Sequence, residues 1–424
     1  MSTVAITNCA ILDICDGSLL RDAAIFIKGE NIEHIGSVGP SSQGYALQVD
    51  VKGAVAIPGL IDLHVHLFDE ADPNKASEYA CDEPIDVAFR RAMQNCREAI
   101  AQGVTTVREV GAYGRRNLKL RDAVRGGLIP GPDIKACGDL ITYPMGHAAA
   151  RGIEVSDMPS IRQAVKENYE RGADFLKVTS DPADVEAMGR TPDPTLSAEE
   201  LTCLVKESHT LGMKVAIHTF PSIEGLNRAL DAGVDTLEHA VPLDEQTLEK
   251  LLKTKAIIVP TFVAAYDEFS LKALGERTSV NSERAERFDS TNYPKERLHV
   301  LRGGRVPESI RIWFDHLIRG LPSAISLGVR IGIGTDAGCF GTNFRSAVRE
   351  MFFLTQFGAT NLQALQSATL VGAEALGEKG SLGKISPGYR ADIVFCGGNP
   401  VEDLDALLDV QLVVSRGRIA HVAN

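Results

Sequence analysis

Between residue 57 and about residue 376 one pattern repeats: a short apolar run, an amphipathic segment of helical period, then another apolar run. The apolar runs fall at 57–66, 104–111, 134–141, 175–180, 214–220, 236–240, 256–262 and 330–338. Amphipathic stretches such as 84–102, 158–171, 197–211 and 222–232 separate them. Strands of a parallel sheet covered on both faces read as such continuous apolar runs. A parallel strand returns only through a crossover, usually a helix, so eight runs alternating with helices predict an α/β chain closed into a (β/α)8 barrel. The flanks differ. Residues 3–56 alternate short apolar runs with turns at Gly17, Gly29 and Gly36, the pattern of a small antiparallel unit. Residues 382–422 return to short strands that should rejoin it. Three stretches are therefore expected: 1–56 and 377–424 as the two parts of an accessory β domain, and 57–376 as the barrel. A long polar stretch from about Ala264 to Glu308 suits an inserted helix or a lid beside the barrel mouth.

The first run ends in chemistry. Pro58-Gly59 sets its entry, only Asp62 interrupts its apolar residues, and it closes on His64-Val65-His66. Residues two apart on a strand share a face, so both imidazoles leave the strand end together. Two neutral imidazoles side by side suit a divalent transition metal. Lys177, His218, His239 and Asp336 end four later runs, each followed by loop residues. Taken singly, the histidines could be core residues, Lys177 a surface lysine paired with Asp174 or Asp181, and Asp336 a helix cap. Polar residues at the C-terminal ends of successive barrel strands converge on one mouth, where such enzymes place their chemistry. Glu238, beside His239, is placed to orient a ligand imidazole. Glu109, ending the second run, faces either the mouth or its neighbour Arg108. Thr335 and Gly334 shape the turn before Asp336.

This ordered set resembles the amidohydrolase superfamily, whose members hydrolyse amides, esters and related bonds at a metal centre in a distorted TIM barrel. The likeness spans nearly the whole chain. His64 and His66 match the strand-one pair, Lys177 the strand-four lysine, His218 and His239 the strand-five and strand-six histidines, and Asp336 the strand-eight aspartate. The opening residues 4–12 and the closing residues 380–394 resemble the two pieces of that family's accessory β-sandwich. The resemblance implies two divalent metal ions, zinc by default, and a carbamate on the lysine, N6-carboxylysine at Lys177. His64, His66 and Asp336 would hold one ion and His218 and His239 the other. A water shared between them would attack a C–N amide bond, with Asp336 as general base. The imidazolonepropionase-like subgroup, which includes Xaa-Pro dipeptidases, often has a histidine after strand three that contacts the scissile carbonyl. His147 takes that place, in a loop where Pro144 and Met145 replace glycines. The chain also departs from that subgroup in having His218-Thr219-Phe220 where His-x-Tyr is common, and in lacking a histidine soon after Asp336. With Phe220 and Phe340 nearby, a partly apolar pocket is expected, for an N-acyl amino acid, a dipeptide or a related amide. A cyclic amide or lactone hydrolase is the alternative. A deaminase would need a carboxylic acid soon after His218, where Thr219-Phe220-Pro221 stands, and a non-catalytic scaffold would lack several of these ligands.

Composition narrows the setting. A chain of 424 residues with 44% hydrophobic content can bury a large core. A net charge of −12 argues against a nucleic-acid surface, and no apolar run reaches the length of a membrane span. Neither a basic nor an apolar leader opens the sequence, and the eight cysteines form no C-x-x-C pair. A cytoplasmic enzyme with reduced thiols and a small-molecule substrate is expected, with homo-oligomerisation left open.

Overall fold

The run expected as one strand at 57–66 breaks at Gly59, and that break divides the fold. The structure is a computed structural model describing residues 3–37, 44–71, 83–144, 146–180, 196–219, 222–266, 308–339 and 341–423. Ahead of Gly59 lie β1 (Thr3–Leu12), β2 (Leu19–Lys28), β3 (Asn31–Gly36), β4 (Leu47–Asp50) and β5 (Val55–Pro58); β6 (Leu60–Val65) follows it. A Cβ at Gly59 would sit 2.0 Å from Thr105 Oγ1, so only glycine allows the chain to change sheets there.

Eight more strands belong to the barrel: β7 (Val104–Glu109), β8 (Asp133–Ala136), β9 (Leu140–Thr142), β10 (Gly152–Glu154), β11 (Phe175–Thr179), β12 (Lys214–His218), β13 (Thr236–Glu238) and β14 (Ile257–Val259). The last three are β15 (Ile393–Cys396), β16 (Val410–Ser415) and β17 (Arg418–Val422). They run β17-β16-β15-β5-β1-β2-β3, with β4 on β1, so both chain ends build one accessory sheet. Its core gathers Ile6, Ile25, Ile27, Ile393, Phe395 and Leu412.

The barrel strands pair in parallel, in two sheets: β6-β7-β8 and β10-β9-β11-β12-β13-β14. This is a distorted TIM barrel, and it departs from eight even strands twice. The third run is split between β8 and β9 at Gly138, whose φ is +70°. The eighth run, 330–338, forms only isolated bridges, Val65 to Ala337 and Ile258 to Ile331. Gly334 explains the tight fit: a Cβ there would lie 2.2 Å from Val259 Cγ1 and 2.9 Å from His64 Cβ. Asp62 supplies what the ladder lacks. It accepts from the Thr335 hydroxyl at 2.7 Å and the Thr335 amide at 3.1 Å, latching strand eight to strand one.

Helices α1 (Ile85–Ala101), α2 (Arg116–Arg125), α3 (Met158–Glu170), α4 (Ala198–Thr210), α5 (Ile223–Ala232), α6 (Glu245–Thr254), α7 (Glu308–Ser326) and α8 (Ala347–Gln356) lie between strands or follow the last run. Polar caps start several where the sequence period begins: Asp157 and Ser197 form capping boxes with Ser160 and Glu200. Strand parity then sorts the side chains. On β11, Leu176 and Val178 join the large apolar cluster that includes helix residues, while Phe175 packs with Val110, Cys137 and Ala216. Lys177 shares the inward face with Phe175. Most of the polar stretch, 267–307, lies outside the described residues.

At the opposite end of the strands, buried Asp133 accepts from Arg390 at 2.7 Å, with Lys135 and Arg125 at 3.3 and 3.4 Å. Arg390 also donates to Thr106, so this cluster ties the C-terminal accessory segment to β7 and β8. Burial alone would raise the Asp133 carboxyl, but Arg390, Lys135 and Arg125 outweigh it and bring it down to about 2. A carboxyl lower in the folded than in the unfolded chain adds stability above its unfolded pKa, near 4, and loses it as pH falls toward the folded value. Asp133→Asn should therefore cost about 2–3 kcal/mol at neutral pH, and the gap to the parent should close between about pH 4 and pH 2. Denaturation midpoints across that range test this, and a gap independent of pH would count against it.

Among the described residues no helix is long and apolar enough to cross a membrane. Cys9, Cys15, Cys96, Cys137, Cys203, Cys339 and Cys396 are free thiols. Cys81 lies outside the described residues.

Candidate metal centre

The imidazoles that end separate strands meet in one arc. Ring centroids run His66 to His64 at 5.6 Å, His64 to His239 at 5.1 Å, His239 to His218 at 4.4 Å and His218 to His147 at 4.5 Å, the last pair stacked. Asp336 closes the arc, its Oδ1 lying 3.2 Å from His66 Nε2 and 3.5 Å from His64 Nε2. His64, His66 and Asp336 together form a donor group that could hold a cation.

Three of the rings are held from behind. His64 Nδ1 is 2.7 Å from Glu238 Oε2, and His66 Nδ1 is 3.3 Å from the Gly111 carbonyl. His239 Nδ1 is 2.7 Å from Thr261 Oγ1, whose own proton goes to the Pro260 carbonyl. At His64, backed by a carboxylate, and at His239, backed by a hydroxyl whose proton is already given away, the acceptor behind Nδ1 requires the proton there and leaves the Nε2 lone pair facing the centre. Glu238, expected to orient a ligand imidazole, lies behind His64, across the barrel, rather than behind its neighbour His239.

Lys177 stands apart among the described lysines. Its Nζ is buried and makes no hydrogen bond, as does Asp336 Oδ1. Burial lowers the amine to about 8, and its charge acts on His64, His147, His218 and His239. The expected alternative partner Asp174 is taken by Arg121 and Arg125; Asp181 lies outside the described residues. Burial alone would raise the Asp336 carboxyl, but the imidazoles of His64, His66 and His239 hold it well below the usual range. Burial lowers both His147 and His239 to about 4, so each is a neutral ring at neutral pH.

The backbone bends to aim these groups. His239, Ala240, Thr261 and Asp336 all have left-handed φ, between +49° and +67°. Such conformations cost on the order of 1–3 kcal/mol each in non-glycine residues and cluster where function constrains the chain.

Three features are absent from the sequence reading. His66, Asp69 and Cys339 form a second donor group. A buried cation already serves it: Arg151 Nη2 donates to Asp69 Oδ2 at 2.7 Å, and Nη1 lies 3.2 Å from His66 Nδ1. Burial, with Asp336 and Asp69 nearby, keeps Cys339 a thiol. The only tryptophan, Trp313 on α7, stands edge-on to His239 at 5.4 Å. No strand period places Arg151 or Trp313, since one sits on a loop and the other on a helix. Arg108 and Glu109 prove to be on opposite faces of β7: Arg108 reaches Glu238 at 2.6 Å, while Glu109 is buried beside Gly111 and pushed up to about 7 by that burial. They do not pair. Phe220 and Phe340, expected to make the mouth partly apolar, lie outside the described residues, as does Met145 of the His147 loop.

A model of the amidohydrolase family matches residues 55–420. The ochratoxinase of Aspergillus niger is 26% identical over 445 residues, covering 97% of this chain and 84% of that protein. Among solved structures, a Xaa-Pro dipeptidase with bound methionine in its active site superposes with a TM-score of 0.79 at 26% identity, covering all of both chains. A prolidase complexed with N-methylphosphonate-L-proline superposes with a TM-score of 0.79 at 25% identity, again over both whole chains.

Proposed function

The chain belongs to the amidohydrolase family, and from that premise we propose which residues do its chemistry and what class of amide it takes. It is a metal-dependent hydrolase acting on C–N amide bonds. One observation carries the finer reading: Lys177 Nζ and Asp336 Oδ1 are both buried without a hydrogen bond, at a site ringed by histidines. Atoms left that way are costly unless a further partner completes them.

A cation pair fits this donor set. His64, His66 and Asp336 would hold one ion, His218 and His239 the other, and a carbamate on Lys177 would join them. Carboxylation needs the neutral amine, which the buried setting of Lys177 favours; its nitrogen takes up carbon dioxide and releases one proton. Imidazoles with carboxylates suit zinc. Bound divalent cations supply Lewis acidity and make water acidic near neutral pH.

The chain's own groups do the rest. Asp336 takes the proton of the attacking water and returns it to the leaving nitrogen, so acid and amine leave as the C–N bond breaks. The imidazoles around it keep its carboxylate ionised, the form a base must start from. His147, neutral and stacked on His218, donates its single N–H to the carbonyl oxygen as that atom gains negative charge. Thr179 and Thr142 hydroxyls bind the His147 carbonyl at 2.8 and 3.3 Å, which fixes the loop for that task. A donor of this kind is worth about 10²–10³-fold in turnover. His147→Ala should therefore lose about that factor with its cations still bound. Near-normal turnover with reduced thermal stability would instead make His147 a packing residue.

The substrate we propose is a small peptide-like amide, a dipeptide or N-acyl amino acid. Support comes from the likeness to a Xaa-Pro dipeptidase, a prolidase and an ochratoxinase. Free thiols across the described core suit a reducing compartment, and we place the enzyme in the cytoplasm. The test is a hydrolysis screen with zinc-loaded protein over dipeptides, N-acyl amino acids, cyclic amides and aryl amides, alongside metal analysis. Turnover confined to cyclic amides or lactones would move the assignment to ring opening, and a protein that binds no metal would end the hydrolase reading.

A further inference from the structure

Inside the barrel one arginine grips both ends of His64. Arg108 is buried at 2% exposure, and its guanidinium makes three directed hydrogen bonds. Nε donates to the Leu63 carbonyl at 2.6 Å, Nη1 to Thr236 Oγ1 at 2.9 Å and Nη2 to Glu238 Oε1 at 2.6 Å. Thr236 passes its own proton to Glu238 Oε1 at 2.6 Å. Oε1 is thus filled by two donors, and Oε2 is left facing His64 Nδ1 at 2.7 Å. The guanidinium carbon lies 5.3 Å over the Phe175 ring.

Resting on the metal reading above, we infer that Arg108 is a positioning residue: by clamping Glu238 as a pure acceptor and holding the Leu63 carbonyl, it fixes the tautomer and angle at which His64 presents Nε2. The brace spans strands that are not neighbours. β6 pairs only with β7 among the named strands, and β13 lies between β12 and β14. No direct ladder joins β6 to β13, and Arg108, on β7, bridges them by bonding the Leu63 carbonyl on one and the Glu238 carboxylate on the other. The fork is what permits this, since its N–H groups have fixed relative directions that an ammonium lacks. A buried ion pair adds little stability compared with apolar residues of the same volume. What this pair does supply is geometry at a histidine whose other nitrogen faces Asp336. Partners behind a ligand histidine typically change cation affinity about 10–100-fold when removed.

The test uses the whole protein, first without cation and then titrated with zinc against a competing chelator. Histidine labelled with nitrogen-15 reports the tautomer of His64 directly, its resonance identified by its loss in His64→Gln. The parent should show one form, with the proton on Nδ1. Arg108→Met should show mixed tautomers and bind zinc about 10–100-fold more weakly, and Arg108→Lys should recover only part of that loss. A single Nδ1–H form and parental zinc affinity in Arg108→Met would overturn the proposal. Should that variant not fold, Arg108→Met combined with Glu238→Met leaves no charge unpaired and is read the same way: parental affinity in it overturns the proposal. Full zinc content in His64→Ala would overturn the metal reading instead, while the tautomer of the cation-free protein reports on the brace alone.

Discussion

Lys177→Met should empty the centre of cations and leave less than about a thousandth of the turnover. Its Nζ is a buried amine with no hydrogen bond, so in its unmodified form it is a cost to the fold, not a support. Methionine keeps the volume and removes that cost, and the variant should be at least as stable as the parent. Loss of activity then cannot be ascribed to unfolding. Losing the group that joins two cations forfeits several kcal/mol of transition-state stabilisation, on the order of 10³-fold or more. Lys177→Ala should lose metal and turnover in the same way, but it leaves room beside the site. A short carboxylic acid added with zinc should fill that gap and restore part of both. Metal content by mass spectrometry and turnover on the best substrate of the screen decide the matter. A Lys177→Met protein that keeps two equivalents of zinc would remove the lysine from the centre.

Asp336→Asn should keep the fold and most of the metal while turnover falls by about 10²–10⁴-fold, the scale of base catalysis. Asparagine suits the position sterically. Asp336 has φ of +57°, and asparagine is among the few residues that accept that region readily. The backbone contacts, Asp336 N to the His64 carbonyl at 2.8 Å and His66 N to the Ala337 carbonyl at 2.8 Å, do not involve the side chain. An amide oxygen can still face a cation, but it cannot take a proton from water at neutral pH. Asp336→Ala would confound the result, because it adds backbone strain to the loss of the carboxylate. Turnover at a tenth of the parental rate or more in Asp336→Asn would show that another group is the base.

The expected centre could be proposed from the sequence because its groups lie on or at the ends of apolar runs, His64 and His66 on one and the others on runs of their own. A parallel barrel converts that one-dimensional fact into convergence: His64, His66, Lys177, His218, His239 and Asp336 need no long-range knowledge beyond the order of strands. Helix starts were legible for the same local reason, since Asp157, Ser197 and Ser222 cap the residues that follow them. Asp62 was visible only as a polar interruption. Its role as the latch to Thr335 joins residues 273 apart, and no local pattern encodes that. The strand boundaries at Gly59 and Gly138 were hidden because an apolar run does not reveal which sheet accepts it.

By itself the sequence determined the repeating strand and helix order and the accessory sheet built from both chain ends. These depend on period, caps and residue chemistry, all of which act within a few positions. Only the tertiary structure decided which nitrogen of His64 and of His239 faces the centre. That choice belongs to the acceptor behind the ring, Glu238 for His64 and Thr261 for His239. It also decided that Arg108 pairs with Glu238 and not with its neighbour Glu109, because adjacent residues on a strand face opposite ways. Hydrogen bonds across a barrel are set by where strands end up after closure, and closure is a property of the whole chain.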